Sequence, residues 1–128
     1  MVKKALIFDD DVLSLNILEA YFADRGFQAD TYLAPTCPLL EQNSAECPLD
    51  VPACDVLLTD NRMPVMSGIE FIAYTQQRGC KIPLRHIALI SGDLLPAERR
   101  WAEKSNIRTF DKPCPLEHID NWLDGLNF

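Results

Sequence analysis

Short apolar runs alternate with helical patterns along this chain. Five runs have the length and apolarity of strands: Lys4–Phe8, Phe27–Leu33, Val56–Thr59, His86–Ile90 and Ile107–Phe110. Four stretches repeat their apolar residues at helical spacing: Val12–Arg25, Gly68–Arg78, Leu95–Lys104 and Pro115–Leu123. Strands that alternate with helices are typical of a parallel sheet with crossover helices.

The helical patterns also predict which residues face the core. On the first helix they are Val12, Leu15, Leu18 and Phe22, and on the last Leu116, Ile119 and Leu123. Gly26 suits the left-handed conformation that ends the first helix, and Gly79 is expected to stop the helix before it. Pro96 falls in the first turn of its helix, where a missing N–H costs nothing.

Residues 35–54 fit neither pattern. They contain four prolines and three of the five cysteines, and they have room for one short helix at most, at about Pro38–Asn43. This irregular segment is expected in place of a regular second helix. The cysteine spacings match no common zinc pattern, so free thiols are expected.

Length and charge narrow the function classes. A chain of 128 residues predicts one domain. Its net charge of −7 argues against direct binding to nucleic acid, which requires a basic surface. No apolar run approaches the length of a membrane span or of a signal-peptide core, so we expect a cytoplasmic protein without membrane insertion.

Polar side chains follow four of the predicted strands. They are Asp9-Asp10-Asp11, Asp60, Ser91 and Lys112. Ligands of an open parallel sheet bind beyond the carboxyl ends of its strands, so these groups are expected in one crevice. Clustered carboxylates favour a hard cation such as Mg²⁺, and a lysine and a hydroxyl suit phosphoryl oxygens. The set therefore predicts a carboxylate that accepts a phosphoryl group.

Each piece alone has a simpler interpretation. Asp9-Asp10-Asp11 is also a plausible turn and helix N-cap, Ser91-Gly92 a turn, and Lys112-Pro113 a solvated lysine before a turn. Their joint placement at four strand ends favours the shared site, because independent loops have no reason to supply complementary chemistry.

Four segments resemble the receiver domain of two-component response regulators: Leu6–Asp11, Leu57–Gly68, Leu89–Gly92 and Asp111–Pro113. The resemblance covers nearly the whole chain and implies a single receiver domain over residues 1–128. It also implies a doubly wound, flavodoxin-like α/β fold. Five parallel strands in the order 2-1-3-4-5 are then expected, with helices on both faces.

The resemblance implies a role for each residue of the site. Asp60 is the expected phosphoacceptor, supplied by the phosphohistidine of a sensor histidine kinase or a histidine phosphotransfer protein. The expected ligands of Mg²⁺ are Asp10, Asp60 and the backbone carbonyl of Arg62. Asp9 is expected to help hold the ion, partly through water.

The remaining implied roles concern the phosphoryl group. Ser91 is expected to bond one of its oxygens, Gly92 to leave room for it, and Lys112 to pair with Asp60 and then with the phosphate. The peptide bond between Lys112 and Pro113 is expected to be cis, as in receivers of this kind.

One position departs from the family pattern. Receivers carry Tyr or Phe three residues before the lysine, and here that residue is Thr109, with Phe110 one place later. Either the aromatic switch is absent or a deletion has moved it. Arg62 and Asp93 occupy positions that border the site.

Two other functions remain open. A pseudo-receiver would bind partners without phosphorylation, and Thr109 is its best support. A haloacid-dehalogenase-like phosphatase would use Asp9 at the end of the first strand, but it gives no reason for the segment from Asp60 to Gly68. The favoured interpretation is a signalling switch rather than an enzyme.

Overall fold

The computed structural model describes residues 2–42, 45–126 and 128. The strands are β1 (Lys3–Phe8), β2 (Phe27–Tyr32), β3 (Val56–Asp60), β4 (Ile87–Ser91) and β5 (Arg108–Asp111). The helices are α1 (Val12–Asp24), α2 (Pro38–Gln42), α3 (Gly68–Gln77), α4 (Pro96–Lys104) and α5 (Leu116–Asp124). A single 3₁₀ turn at Leu84–His86 leads into β4.

The strands form one parallel sheet in the order β2-β1-β3-β4-β5. This order confirms the predicted doubly wound, flavodoxin-like fold. The strand order reverses direction between β1 and β3, and ligand crevices of such sheets form at this point. The carboxyl ends of β1, β3 and β4 are therefore neighbours.

Helices cover both faces of the sheet, as predicted. Alternate residues of each central strand face opposite layers, because side chains of a strand alternate with period two. Ala5, Ile7, Val56 and Leu58 pack in one apolar cluster with residues of α1 and α5. Leu57, Ile87 and Leu89 pack in a second cluster with residues of α3 and α4.

Two predicted core residues lie outside the core. Val12 is 56% exposed and Leu116 is 40% exposed, although both were expected to face inward. Each is the first residue of its helix. Each therefore lies at the edge of the core, and Leu116 lines an open groove with Ile90 and Ile119 instead of closing against them. The other core positions predicted for these two helices are buried.

Most element boundaries differ from the prediction by one residue. Asp60, Ser91 and Asp111 are the last residues of their strands rather than the first residues of loops. Arg25 caps α1 instead of extending it. Gly26 has a φ angle of 89°, which confirms the left-handed residue predicted there, and Gly79, which was predicted to end its helix, has a φ angle of 82°.

The segment 35–54 contains the five-residue helix α2, whose Leu39 is buried in the core. Asn43, the predicted end of this helix, lies outside the described residues. From 45 to 54 the backbone forms bends without a helix or strand. The five cysteines are free thiols, and Cys37, Cys47 and Cys80 line a small cavity of about 40 Å³.

Among the described residues, no helix is both long enough and apolar enough to cross a membrane.

Gly68 is the point of closest approach between α3 and β3. A Cβ atom on this residue would lie 2.4 Å from the backbone oxygen of Asp60 and 3.2 Å from the Cα atom of Asn61. Both neighbours are backbone atoms and cannot rotate away. A side chain at position 68 would therefore push α3 away from the end of β3.

We expect Gly68→Ala to lower the free energy of unfolding by about 2 kcal/mol, because overpacking a filled site forces a backbone shift. Gly125→Ala is the matched control, since a Cβ there would meet its nearest atom at 3.5 Å, an ordinary contact. Urea unfolding followed by circular dichroism compares the two variants. Equal stability of the two would contradict the close approach.

Candidate functional site

Three carboxylates meet at the carboxyl ends of β1 and β3. One oxygen from each of Asp9, Asp10 and Asp60 lies within 4.8 Å of the other two. Asp9 is fully buried, Asp60 is 5% exposed, and Asp10 is exposed. The cluster is therefore anchored in the protein and open to solvent on one side.

The three consecutive aspartates have separate tasks. Asp11 is the N-cap of α1, and its side chain accepts bonds from the backbone N–H of Leu13 at 3.2 Å and from the hydroxyl of Ser14 at 2.8 Å. Asp9 accepts the backbone N–H of Asp11 at 2.9 Å, which fixes its orientation. The capping interpretation is thus correct for Asp11, whereas Asp9 and Asp10 join the carboxylate cluster.

Lys112 supplies the positive charge of the site. Its Nζ atom lies 2.8 Å from Asp9 and 3.5 Å from Asp60. Burial opposes its charge, but the bonds and attraction of these two carboxylates outweigh that effect, so the pKa of Lys112 is raised. Burial raises the pKa of Asp60, against the opposing attraction of Lys112. An additional cation would therefore favour the charged form of Asp60.

The carboxylate cluster fits a Mg²⁺ ion. Mg²⁺ binds hard oxygen ligands and usually keeps several waters, so it requires only one or two carboxylates and an open side. The buried Asp9 and Asp60 and the exposed Asp10 meet this requirement. The backbone carbonyl of Arg62, two residues beyond the end of β3, remains a predicted ligand.

Ser91 is the last residue of β4, on the side of Asp60 opposite to Asp9. Its side chain is buried, and its hydroxyl donates a hydrogen bond to Asp93 at 2.9 Å. A Cβ on the neighbouring Gly92 would meet Lys112 at 3.8 Å, an ordinary contact. The backbone N–H of Lys112 donates to the carbonyl of Ser91, and the bond between Lys112 and Pro113 is cis, as expected.

Phe110 does not replace the aromatic residue that is missing at Thr109. Phe110 is buried on the α5 side of the sheet, with its ring centroid 5.8 Å from that of Trp122. Thr109 pairs with Leu89, which faces α3 and α4, so the two neighbours lie on opposite sides of the sheet. Within β5, the position that faces α4 is therefore occupied by Thr109 and carries no aromatic side chain.

Two residues of the site were missed by sequence reasoning. Asn61 is fully buried directly after Asp60, where it accepts the N–H of Ile69 at 3.1 Å and donates to Glu98 at 3.0 Å. Glu98 accepts the backbone N–H of Leu95 at 2.8 Å. Glutamate in the fourth position of the predicted helix 95–104 is a capping signal, and it could have placed Glu98 near this end of the sheet.

Comparison with solved structures places this fold among receiver domains. The receiver domain of Francisella response regulator 1452 superposes with a TM-score of 0.74 at 18% identity, over 95% of this chain and 93% of that one. The Vibrio cholerae chemotaxis protein CheY4 superposes with a TM-score of 0.70 at 22% identity, over 97% and 98% of the two chains. A response regulator receiver protein from Pseudomonas putida gives 0.74 at 18% identity, over 98% of each chain.

The chain therefore has the receiver-domain fold, which confirms the predicted resemblance at the level of the fold. No protein-family model and no curated protein sequence matches the chain. The roles of individual residues consequently rest on the geometry of the site.

We expect Asp10→Asn to weaken Mg²⁺ binding by about ten-fold or more, since even the loss of an outer-sphere partner can cost that much. Asp11→Asn is the matched control, because asparagine can also cap α1 and Asp11 is not part of the carboxylate cluster. Isothermal titration calorimetry measures both affinities. The same loss in both variants would point to net charge rather than to a defined site.

We expect Lys112→Met to lower the free energy of unfolding by about 3 kcal/mol, because it leaves two buried carboxylates without a cation. Mg²⁺ should restore more stability to this variant than to the natural chain, since the ion no longer competes with the ammonium group. Lys104→Met, at an exposed position of α4, serves as the control in urea unfolding with and without Mg²⁺. A Lys112→Met loss no larger than that of the control would contradict the proposed charge balance.

Proposed function

We propose that this chain is a response-regulator receiver domain that accepts a phosphoryl group on Asp60. The observation that carries the proposal is the convergence of the carboxylate cluster with Lys112 and Ser91 at the switch point of the sheet. The fold supports the proposal, since solved receiver domains share it.

In the proposed transfer, an oxygen of the Asp60 carboxylate attacks the phosphorus atom of a phosphohistidine. The new O–P bond forms as the P–N bond breaks. The electron pair of the broken bond stays on the imidazole nitrogen of the donor, and the product is an acyl phosphate on Asp60. Catalysis of such a step depends on alignment and on charge neutralisation.

The residues of the crevice can provide both the alignment and the charge neutralisation. Lys112 already lies 3.5 Å from Asp60 and is positioned to pair with a phosphoryl oxygen. Ser91 can donate its hydroxyl hydrogen to another phosphoryl oxygen. Asp9, Asp10 and Asp60, with the Arg62 carbonyl, would hold Mg²⁺, which supplies positive charge against the oxygens of the group transferred.

The donor is proposed to be a sensor histidine kinase or a histidine phosphotransfer protein, and the output a change in protein contacts. Residues 1–128 form the receiver domain in this proposal, and it works as a switch rather than as an enzyme that turns over a separate substrate. We place it in the cytoplasm, because five free thiols fit a reducing compartment.

The structure speaks against the phosphatase alternative. Its nucleophile would be Asp9, which is fully buried and bonded to both Lys112 and the N–H of Asp11. Asp11 is occupied as the N-cap of α1. The pseudo-receiver alternative gains support from the missing aromatic at Thr109, and the experiment below separates it from the proposal.

Incubation with a small acyl phosphate and Mg²⁺ should add one phosphoryl group to the chain, as measured by intact mass. The gain should vanish in Asp60→Asn, because an amide oxygen is a far weaker nucleophile, and it should vanish without Mg²⁺. Asp111→Asn, an exposed aspartate at the end of β5, is the control and should retain the gain.

Three outcomes would contradict the proposal. Phosphorylation that persists in Asp60→Asn but disappears in Asp9→Asn would favour the phosphatase. A second contradicting outcome is measurable Mg²⁺ binding with no mass gain from either donor, the small acyl phosphate or a phosphohistidine protein. Absence of a gain with the small acyl phosphate alone would exclude only that donor. Absence of both phosphorylation and Mg²⁺ binding would identify a pseudo-receiver.

A further inference from the structure

A charged network joins the loop after β4 to the start of α4. The guanidinium group of Arg62 forms a two-point pair with Glu98, at 3.1 and 3.0 Å, and lies 3.3 Å from the carboxylate of Asp93. The hydrogen bonds from Arg62 are the main reason that the pKa of Glu98 is lowered. The pKa of Asp93 is lowered mainly by the hydrogen bond from Ser91 and also by Arg62. Arg62, which follows β3, thus connects the end of that strand to the loop after β4 and to the first turn of α4.

Glu98 anchors the first turn of α4. Its two oxygens accept four hydrogen bonds, from the Leu95 backbone, the Asn61 amide and both terminal nitrogens of Arg62. Leu95, the N-cap residue, has no side-chain acceptor of its own. The position of the α4 N-terminus therefore depends on residues that directly follow Asp60.

The network ends at Ser91. The Ser91 hydroxyl donates to Asp93 at 2.9 Å, and a hydroxyl has only one hydrogen to donate. While that bond exists, Ser91 cannot donate to a phosphoryl oxygen on Asp60. Phosphorylation would therefore set the phosphoryl group and Asp93 in competition for the same hydrogen.

We propose that the chain Ser91–Asp93–Arg62–Glu98 transmits phosphorylation of Asp60 to α4, in place of an aromatic residue on β5. The inference rests on the proposed function. Thr109 leaves the α4 side of β5 without an aromatic group, whereas this network spans the distance from Ser91 to α4 with consecutive contacts of 2.9 to 3.3 Å.

The direction of the effect follows from charge. A phosphoryl group on Asp60 adds negative charge two residues from Arg62 and draws the Ser91 hydroxyl away from Asp93. Asp93 then loses a donor, and Arg62 is shared among more negative charge than before. The hold of Arg62 on Glu98 weakens, and the first turn of α4 is free to move.

Trp101 provides a reporter on α4 itself. It is partly buried and packs against the core cluster on that face of the sheet. The only other tryptophan is Trp122 on α5, so a Trp122→Phe background isolates the emission of Trp101. Circular dichroism first confirms that this background is folded, and intact mass then measures phosphorylation in the same samples as the emission.

In the background protein, phosphorylation by the small acyl phosphate should shift the Trp101 emission. Glu98→Gln should shift the emission before phosphorylation, toward the phosphorylated state, and should lose most of the further response. Asp93→Asn should keep the resting emission but lose the response, because Arg62 still holds Glu98 while the connection to Ser91 is weakened. Glu103→Gln, an exposed glutamate of the same helix, should respond like the background.

The two proposals fail in different ways. If the background and its variants gain a phosphoryl group but Glu98→Gln and Asp93→Asn respond fully, the network is not the transmitter and the receiver function stands. A phosphorylated background with unchanged emission also overturns the inference, since α4 does not respond. If the background gains no phosphoryl group from any donor, the proposed function fails and the inference fails with it.

Discussion

The arrangement of the site depends on one electrostatic constraint: two buried carboxylates stand side by side, and a single ammonium group offsets their repulsion. Asp9 directly follows β1 and Asp60 ends the neighbouring parallel strand β3, so the sheet itself brings them together. Lys112 reaches both from the end of β5. Burial favours the neutral form of Asp60, and a nearby positive charge favours the ionised form that can act as a nucleophile. The same constraint explains why a divalent ion would bind here, because it would supply charge that Lys112 alone does not.

The fold was predictable because its determinants are local and repeated. Buried apolar runs and helical spacing indicated five strands and four longer helices, and a parallel sheet places the ends of β1, β3 and β4 at one edge. The convergence of Asp9, Asp60 and Lys112 followed from that placement. The exposure of Val12 and Leu116 was not predictable from spacing, because it depends on where each helix begins relative to the sheet below it.

The connections between site residues were harder to predict than the residues themselves. Glu98 is distant in sequence from Arg62, and the contact depends on how α4 is oriented against the end of β3. Asn61 follows Asp60 in a segment that otherwise indicates only a turn, although its buried side chain joins the starts of α3 and α4. The facing of Thr109 and Phe110 likewise required the register of β5 against β4. Pairing across elements is a tertiary property, and one sequence carries little direct information on it.

The close contact at Gly68 makes the surroundings of Asp60 mechanically unequal. On the α3 side, backbone meets backbone with no room for a methyl group, so that side behaves as a rigid wall. On the α4 side, the contact consists of charged side chains that can exchange partners without a steric penalty. A displacement at the end of β3 would meet backbone atoms on the α3 side but side chains that can rearrange on the α4 side. A structural change at Asp60 would therefore be accommodated more easily at α4 than at α3, because the backbone contact at Gly68 leaves no space on the α3 side.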